Sequence, residues 1–527
     1  MNLRFKIPFG VQSFEQIRTD GYYYVDKTEL IQRLTESGSY FFLNRPKCFG
    51  KSLLLDTLKS LFEGREALFR GLYIHDHWDW SIQHPVIRLS FSNGVPRSRE
   101  ELDERIHDML NTEARLFNLT FTSQSIAGRF RELIQNAHEL YDQRAVVLID
   151  EYDRPILDNF TEPQRARELR DGLNNLYSVL KDADPHLHFV LLTGVSQFST
   201  ASLFSGLNNL NDITLNREYA TICGYTDEDI NTIFAPELPG LNRVDIRRWY
   251  NGYRWGDPSA TPAVYNPFDV LLLLQKREFH PYWFESATPT FLVELLAERG
   301  IFTPQLERLQ SEASLLGRFD VDDTSSEALL FQTGCLTVHR VEQPLTGYWL
   351  YTLGYPNQEV KTSLNRALLP KLGIHDGPQQ RLSLFKALKD HNVDALGAHI
   401  KGLFASLPHE WYRNNPIAQY EGHYASVFYS HFAALGVDVT VEDASSTGWV
   451  DMTVDFDGHL HIFEFKVVEQ APEGKALQQL RDKEYTAKYF GHGKPIHLVG
   501  FEFSREQRAV VAFEWETLRE VEEWGRT

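Results

Sequence analysis

The sequence predicts an α/β protein of more than one domain, with a mainly parallel sheet in its N-terminal part and a β-hairpin near its C-terminal end. Apolar runs at 39–44, 85–91, 145–150 and 187–196 alternate with helix-period segments, as strands covered on both faces by crossover helices do. Asp457-Gly458 sits between two alternating runs, as a two-residue hairpin turn requires. A chain of 527 residues also exceeds one ordinary core, so roughly two to four domains are expected.

Composition bounds the function. Hydrophobic residues make up 42% and charged residues 24%, and 35 Phe, 23 Tyr and 10 Trp supply the apolar volume for large cores. The net charge of −19 excludes a protein that coats nucleic acid nonspecifically, because such binding rests on Lys and Arg neutralising phosphates. Contact with nucleic acid must then come from local basic patches or through metal. Cys48, Cys223 and Cys335 lie far apart without metal-ligand spacing, so a reducing cytoplasm is expected and a disulfide framework is not. The segment Met1 to Gly10 lacks the apolar core of a signal peptide, and no run approaches the roughly 18 apolar residues of a membrane span.

Taken in order, Gly21 to Ile31 reads as a short strand or turn followed by a helix starting near Asp26 or Lys27. The strand at 39–44 runs into Arg45-Pro46-Lys47-Cys48-Phe49-Gly50-Lys51-Ser52 and then a helix over 53–62, the order a phosphate-binding loop requires. In such a loop the backbone N–H groups and the helix N-terminus hold phosphates, the Lys reaches the β- and γ-phosphates, and the hydroxyl binds Mg²⁺. Gly50, Lys51 and Ser52 fit that pattern. Arg45 stands where the first glycine belongs; it either shapes the loop or contacts phosphate. A helix start without a ligand accounts for the same residues.

The strand at 85–91 and helices over 99–117 and 126–141 follow, then Ala145 to Ile149 ending in Asp150-Glu151-Tyr152-Asp153. A buried parallel strand that ends in acids opens onto a crevice, where Asp150 would hold Mg²⁺ through water and Glu151 would polarise a hydrolytic water. A helix around 163–182 leads to the strand at 187–196, whose Thr193 or Ser196 either senses a γ-phosphate or caps a helix. From about 220 to 280 short helices, Asp227 to Phe234 and Arg243 to Tyr250, are broken by Tyr250-Asn251-Gly252-Tyr253-Arg254-Trp255-Gly256 and read as a helical lid. Residues 281–400 read as mostly helical and carry no catalytic constellation.

The hairpin comes last. A loop of Asp457 and Gly458 sets Asp451 opposite Glu464 and Trp449 opposite Lys466, and period-two alternation gathers Asp451, Glu464 and Lys466 on one face. Met452, Val454 and Phe456 lie on the other face against Phe463, Phe465 and Val467. Facing carboxylates roughly 5 Å apart repel unless a positive charge lies between them. A divalent cation meets that need, and the lysine would orient or deprotonate an attacking water, the outline of phosphodiester hydrolysis. A solvated hairpin face with a Glu-Lys pair is the plainer alternative.

These stretches resemble a bacterial and archaeal family in which an AAA-ATPase-like N-terminal region is fused to a C-terminal PD-(D/E)XK nuclease-like domain. The matching stretches are Gly21 to Leu30, Arg45 to Ser52, Ile149 to Asp153, Thr193 to Ser196 with Phe204 to Leu210, Tyr250 to Arg254, and Glu464-Phe465-Lys466. The resemblance implies a P-loop ATPase with a mainly parallel sheet over 1–220, a helical lid over 221–280, a connecting region over 281–400 and a restriction-endonuclease-like domain over 401–527. It makes Arg45 an expected residue of the loop, while Lys47 and Cys48 replace two arginines. It implies ATP and Mg²⁺ or Mn²⁺ as cofactors. For the nuclease half it implies an early helical acid, Glu421, then Asp451, Glu464, Lys466 and a helical Gln479, with Lys483 and Tyr485 nearby. Where the family has Gly-Arg-Ile-Asp, this chain has Gly448-Trp449-Val450-Asp451, so a phosphate-binding arginine is replaced by a residue suited to stacking on a base.

Two functions follow as expectations. One is an ATP-hydrolysing protein whose metal-dependent nuclease domain cuts DNA or RNA under the control of nucleotide state. The other is a nucleotide-controlled binding or signalling module with a catalytically inactive nuclease fold, favoured by the acidic charge and the missing arginine.

Overall fold

The computed structural model describes residues 5–197, 209–287, 290–312, 316, 324–374, 377–405, 421–445, 448–482, 489, 493–504, 506–507 and 509–518; the side chains at 287, 290–291, 421–423, 442–445 and 448–450 are outside the description. The chain divides into two compact units, Met1–Phe291 with Arg308–Asn357, and Leu292–Glu307 with Gln358–Thr527.

In the first unit, β1 (Tyr40–Asn44), β2 (Val86–Ser90), β3 (Ala145–Asp150), β4 (Leu187–Gly194) and β5 (Asn211–Asp212) form one sheet in the order β2-β3-β4-β1-β5, every pairing parallel. β1 and β3 are buried at every residue, which is why they read as unbroken apolar runs. The C-terminal ends of β1, β3 and β4 therefore share one edge of the sheet. With Leu43 beside Thr193 and Asn44 beside Gly194, β4 stands between the 45–50 loop and the acids at 150–153.

Most of these helices start where a side chain caps the first turn. α1 (Thr28–Ser37) is preceded by Asp26, whose Oδ1 accepts the Thr28 N–H at 2.8 Å. α2 (Lys51–Phe62) follows the loop, and α3 (Arg99–Leu116) and α4 (Ile126–Tyr141) are capped by Ser98 and Ser125. After α5 (Pro163–Tyr177), α6 (Asp227–Thr232) begins with a capping box at Thr226, and α7 (Arg243–Tyr250) and α8 (Pro267–Lys276) begin at Asn242 and Asn266. Residues from α6 to α8 share an apolar core with Tyr23 and Val25. Gly252 explains the break after α7: its φ is 117°, and a Cβ there would lie 1.8 Å from the Pro356 carbonyl oxygen.

The helical middle region also holds a three-stranded antiparallel sheet that the sequence reading does not contain. β6 (Leu309–Glu312), β7 (Thr337–Leu345) and β8 (Tyr348–Gly354) pair in the order β6-β8-β7, and α9 (Ser326–Gln332) precedes β7. Its signal was Thr346-Gly347 between runs of β-branched and aromatic residues, with Gly347 at φ 83°. Pro344 obscured it.

The second unit is built on a mixed sheet of β9 (Asp438–Ser445), β10 (Gly448–Phe456), β11 (His459–Val468), β12 (Ile496–Ser504) and β13 (Ala509–Leu518), in the order β13-β12-β11-β10-β9. β11 and β12 run parallel and the other neighbours antiparallel. The hairpin forms in the expected register, Met452 beside Phe463 and Phe456 beside His459, and Asp457 and Gly458 take φ of 47° and 78°, as a type I′ turn requires. Phe428 and Phe432 of α10 (Glu421–Leu435) pack on Phe463 and Phe465 of one face. The opposite face is covered as well: Leu477 and Leu480 of α11 (Lys475–Asp482) pack on Leu460, Ile462, Ile496 and Leu498. The hairpin is thus buried from both sides, unlike the solvated-face alternative. Among the described residues no helix is long and apolar enough to cross a membrane.

Two candidate active sites

The first candidate site lies at the shared strand edge of the first unit. The loop after β1 places Cys48 at φ 65° and Gly50 at φ 91°, and α2 starts at Lys51. Left-handed positions in such a loop turn successive N–H groups toward one side, the arrangement that holds anions at a helix N-terminus. A cavity of about 440 Å³ opens here, lined by Cys48, Lys51, Ser52, Glu151 and Arg154. Phe9, Tyr225 and Phe268, from the N-terminal segment and the 221–280 region, line it too. Lys51 Nζ donates to the carbonyls of Arg45 and Pro46 at 2.8 and 2.9 Å, so the loop's own backbone holds the cation beside the cavity. Lys51 and the loop amides suit a polyphosphate and Ser52 an accompanying Mg²⁺, whereas Asp150 does not line the cavity.

Three residues expected to touch the nucleotide sit behind the cavity wall. Arg45 is fully buried; its guanidinium donates to the carbonyls of Asn44, Thr214 and Tyr219 and lies 4.1 Å from the Trp255 ring centroid. A phosphate contact from Arg45 is thereby corrected to the other expected role, shaping the loop, because all this bonding faces the core. Thr193 is buried and spends its hydroxyl on Asp150 Oδ1 at 3.0 Å, so it acts on the acid and leaves the cavity to others. Asp150 is itself almost fully buried, with Arg88 Nη2 3.9 Å from its Oδ2. Ser196 belongs to a second clasp: its N–H and hydroxyl both donate to Asp153 Oδ2 at 2.6 Å, and burial pushes the Asp153 carboxyl up despite these bonds. Glu151 stays at the cavity, paired with Arg154 at 2.7 Å.

The second candidate site is on the hairpin of the second unit. Asp451 Oδ2 accepts the Phe465 N–H at 2.7 Å, which ties the acid of β10 to the strand that carries the next two residues. Glu464 is 1% exposed, its Oε1 lies 3.2 Å from Lys466 Nζ, and Gln479 of α11 donates to the same oxygen. Asp451, Glu464, Lys466 and Gln479 are thus brought together by a register and one helix contact. A buried carboxylate with amide and ammonium partners, on the strand to which Asp451 is bonded, offers hard oxygen donors of the kind Mg²⁺ or Mn²⁺ takes. Among the described residues no third His, Cys, Asp or Glu converges with them. Glu421 opens α10, and its side chain, like that of Trp449, lies outside the description, as do Lys483, Tyr485 and 204–208.

Comparison with known proteins gives a family for each region. Residues 8–204 match the family model described as "Predicted AAA-ATPase", and residues 419–513 match the PD-(D/E)XK nuclease superfamily. An "Uncharacterized protein in vnfD 5'region" of Azotobacter chroococcum mcd 1 is 55% identical over 518 residues, covering 98% of this chain and 99% of that protein. The chain belongs to the AAA-ATPase-like proteins that carry a C-terminal PD-(D/E)XK nuclease superfamily domain. The AAA-ATPase-like match takes in the loop and the acids at 150–153, and the PD-(D/E)XK match takes in Asp451 to Gln479.

Each region also holds residues the sequence reading missed. In the AAA-ATPase-like region Arg88 bonds Asp56 of α2 at 2.6 Å and reaches Asp150, bridging the loop helix to β3; an arginine inside an apolar strand was its signal. In the PD-(D/E)XK domain Glu502 pairs in register with Lys466 and is 1% exposed. Its two carboxylate oxygens accept the N–H groups of Glu473 and Lys475, both at 2.6 Å, fixing the start of the helix that carries Gln479. An acid within the apolar run Ile496–Ser504 marked it.

Proposed function

We propose that the N-terminal region binds and hydrolyses ATP with Mg²⁺, and that the C-terminal domain hydrolyses phosphodiesters of DNA or RNA with Mg²⁺ or Mn²⁺. The observation that carries the nuclease reading is Glu464, buried between Lys466 and Gln479 on the strand to which Asp451 is bonded. Asp451 and Glu464 would hold the metal, which when bound neutralises phosphate charge and makes a water acidic near neutral pH. Lys466, on the same strand face, would orient the attacking water and take up its proton, while Gln479 fixes the Glu464 carboxylate. In the N-terminal region Lys51 would leave its loop carbonyls for the β- and γ-phosphates, and Glu151 would accept the proton of the hydrolytic water.

Nucleotide state would gate cleavage, a reading supported by the presence of both sites in one chain. The test is cleavage of single- and double-stranded DNA and RNA with Mn²⁺ or Mg²⁺, with and without ATP, by wild type, Asp451→Ala, Glu464→Ala and Lys51→Ala. Cleavage lost in the two acid variants supports the nuclease, and undiminished ATP-independent cleavage by Lys51→Ala sinks the gating. Absence of cleavage under every condition, with ATP binding intact, would favour the nucleotide-controlled binding module instead.

A further inference from the structure

Glu151 and Arg154 form an ion pair on the wall of the cavity that also holds Lys51 and Ser52. Arg154 Nη1 donates to Glu151 Oε2 at 2.7 Å and to the Ser92 carbonyl, and its Nε donates to Asp158 at 3.2 Å. Among the described residues its Nη2 makes no hydrogen bond. Burial pulls the guanidinium's pKa down, but the Glu151 and Asp158 carboxylates outweigh this and raise it above its ordinary value. Arg154 is therefore a fixed cation with a spare donor, seated three residues after the acid on the cavity that Lys51 of the phosphate loop also lines.

We propose that Arg154 is a γ-phosphate-contacting arginine supplied by the same chain, which exchanges Glu151 for the phosphate when ATP fills the cavity. This rests on the ATP-binding reading above. A guanidinium matches a phosphate's oxygens as well as a carboxylate's, and a dianionic terminal phosphate with three free oxygens is the stronger partner. The exchange frees Glu151. A water oxygen then bonds to the γ-phosphorus as the bond from that phosphorus to the β-bridging oxygen breaks. ADP leaves with the electron pair, and Glu151 takes the water's proton. Arg154 stabilises the charge on the transferring group, the part a neighbouring subunit or activating protein plays in other ATPases and GTPases. An arginine in the same chain makes the reaction independent of assembly.

The test compares wild type, Arg154→Ala, Arg154→Lys and Lys51→Ala as full chains. One readout is equilibrium binding of a fluorescent non-hydrolysable ATP analogue against fluorescent ADP; the other is phosphate release at several protein concentrations. Arg154→Ala is expected to weaken the ATP analogue by about tenfold or more and to leave ADP within a few-fold, because only the γ-phosphate contact is lost. Hydrolysis should fall on the order of 10³-fold, and wild-type turnover per molecule should not change with protein concentration. An unchanged ATP-to-ADP ratio in Arg154→Ala overturns the assignment, as does faster hydrolysis, which would make the pair a restraint on Glu151 only. Turnover that rises with concentration also overturns it. If Arg154→Ala does not fold, Arg154→Lys decides, since it keeps the charge but not the fork. Nucleotide binding equal in wild type and Lys51→Ala, or absent from wild type, would fell the ATP reading itself and this inference with it; binding lost only in Lys51→Ala, with Arg154→Ala unaltered, fells the arginine alone.

Discussion

At the AAA-ATPase-like site the charged groups come from helix starts that follow loops and rest on protein oxygens: Lys51 on the Arg45 and Pro46 carbonyls, Arg154 on Glu151 and the Ser92 carbonyl. At the PD-(D/E)XK site they come from adjoining strands of one sheet, with Asp451 bonded to the Phe465 N–H and Glu464 held by Gln479 and Lys466. A loop whose cations already have partners must exchange them to take a ligand. A sheet register keeps two carboxylates at fixed separation whatever is bound. The first construction suits a site that responds to what fills it. The second suits one that holds a metal in a single geometry.

Removing the fixed acid is the most direct way to break the comparison. Glu464→Gln keeps the shape and the Gln479 contact but takes away the charge, so metal-dependent cleavage should fall on the order of 10³-fold or more with little change in melting temperature. Cleavage within tenfold of wild type would show that Glu464 is not the metal's partner. Next in size is Lys51→Ala, for which ATP affinity should drop by about a hundredfold in a fluorescence titration, since a charge-assisted contact to two phosphates is lost. Unchanged affinity would sink the reading of this loop as the ATP site. A smaller effect tests whether the sheet site depends on its surroundings. Glu502→Gln loosens the start of α11, and Gln479→Ala removes the contact to Glu464; each should raise the Mn²⁺ concentration for half-maximal cleavage by about 10- to 100-fold. Equal Mn²⁺ dependence in wild type and both variants would make α11 a cover only.

The two sites differ in how much of them the sequence discloses, and for the same physical reason. Gly50, Lys51 and Ser52 are contiguous, so spacing alone identifies the loop, and the apolar runs around it give the strands. Asp451 and Glu464 are thirteen positions apart, yet the Asp457-Gly458 turn leaves one register open, so the hairpin that carries both, paired from Met452–Phe463 to Phe456–His459, was legible as well. What stayed hidden depends on contacts distant in the chain. Arg45 matched the loop pattern, but nothing local announced that Trp255 and the Thr214 and Tyr219 carbonyls would take its guanidinium. Thr193 was placed at the right strand end, while its bond to Asp150 follows from β3 and β4 being neighbours. Glu502 became meaningful only once β12 lay parallel to β11. Beside these, the β7–β8 hairpin was missed through local chemistry: a proline inside one arm outweighed the Thr-Gly turn.

The smallest expected effect concerns the strands that make the second site rigid. β11 and β12 carry His461 and His497 side by side, and His459 Nδ1 lies 2.9 Å from His497 Nε2 with the His391 ring stacked on His459 at 3.5 Å. Burial, then the neighbouring imidazoles, lowers His461 to about 3 and His497 to about 4, so both are neutral in the folded sheet. A histidine whose folded pKa is depressed contributes stability that is complete above its unfolded value, near 6.5, and is lost as pH falls toward the folded value. Between pH 6.5 and 4.5 the unfolded chain takes up protons that the folded one refuses, costing about 1.4 kcal/mol per pH unit for each such histidine. Thermal melts of wild type and His461→Phe from pH 7.5 to 5 check this, since a phenylalanine fits beside Phe463 and cannot titrate. The wild-type transition of the second unit should fall more steeply below pH 6.5 than the variant's, and Mn²⁺-dependent cleavage should fall with it because the same strands hold Glu464 and Glu502. Parallel stability curves would mean that the imidazole stack titrates alike in folded and unfolded chains, and the rigidity of the metal site would then have to be sought in α10 and α11 instead.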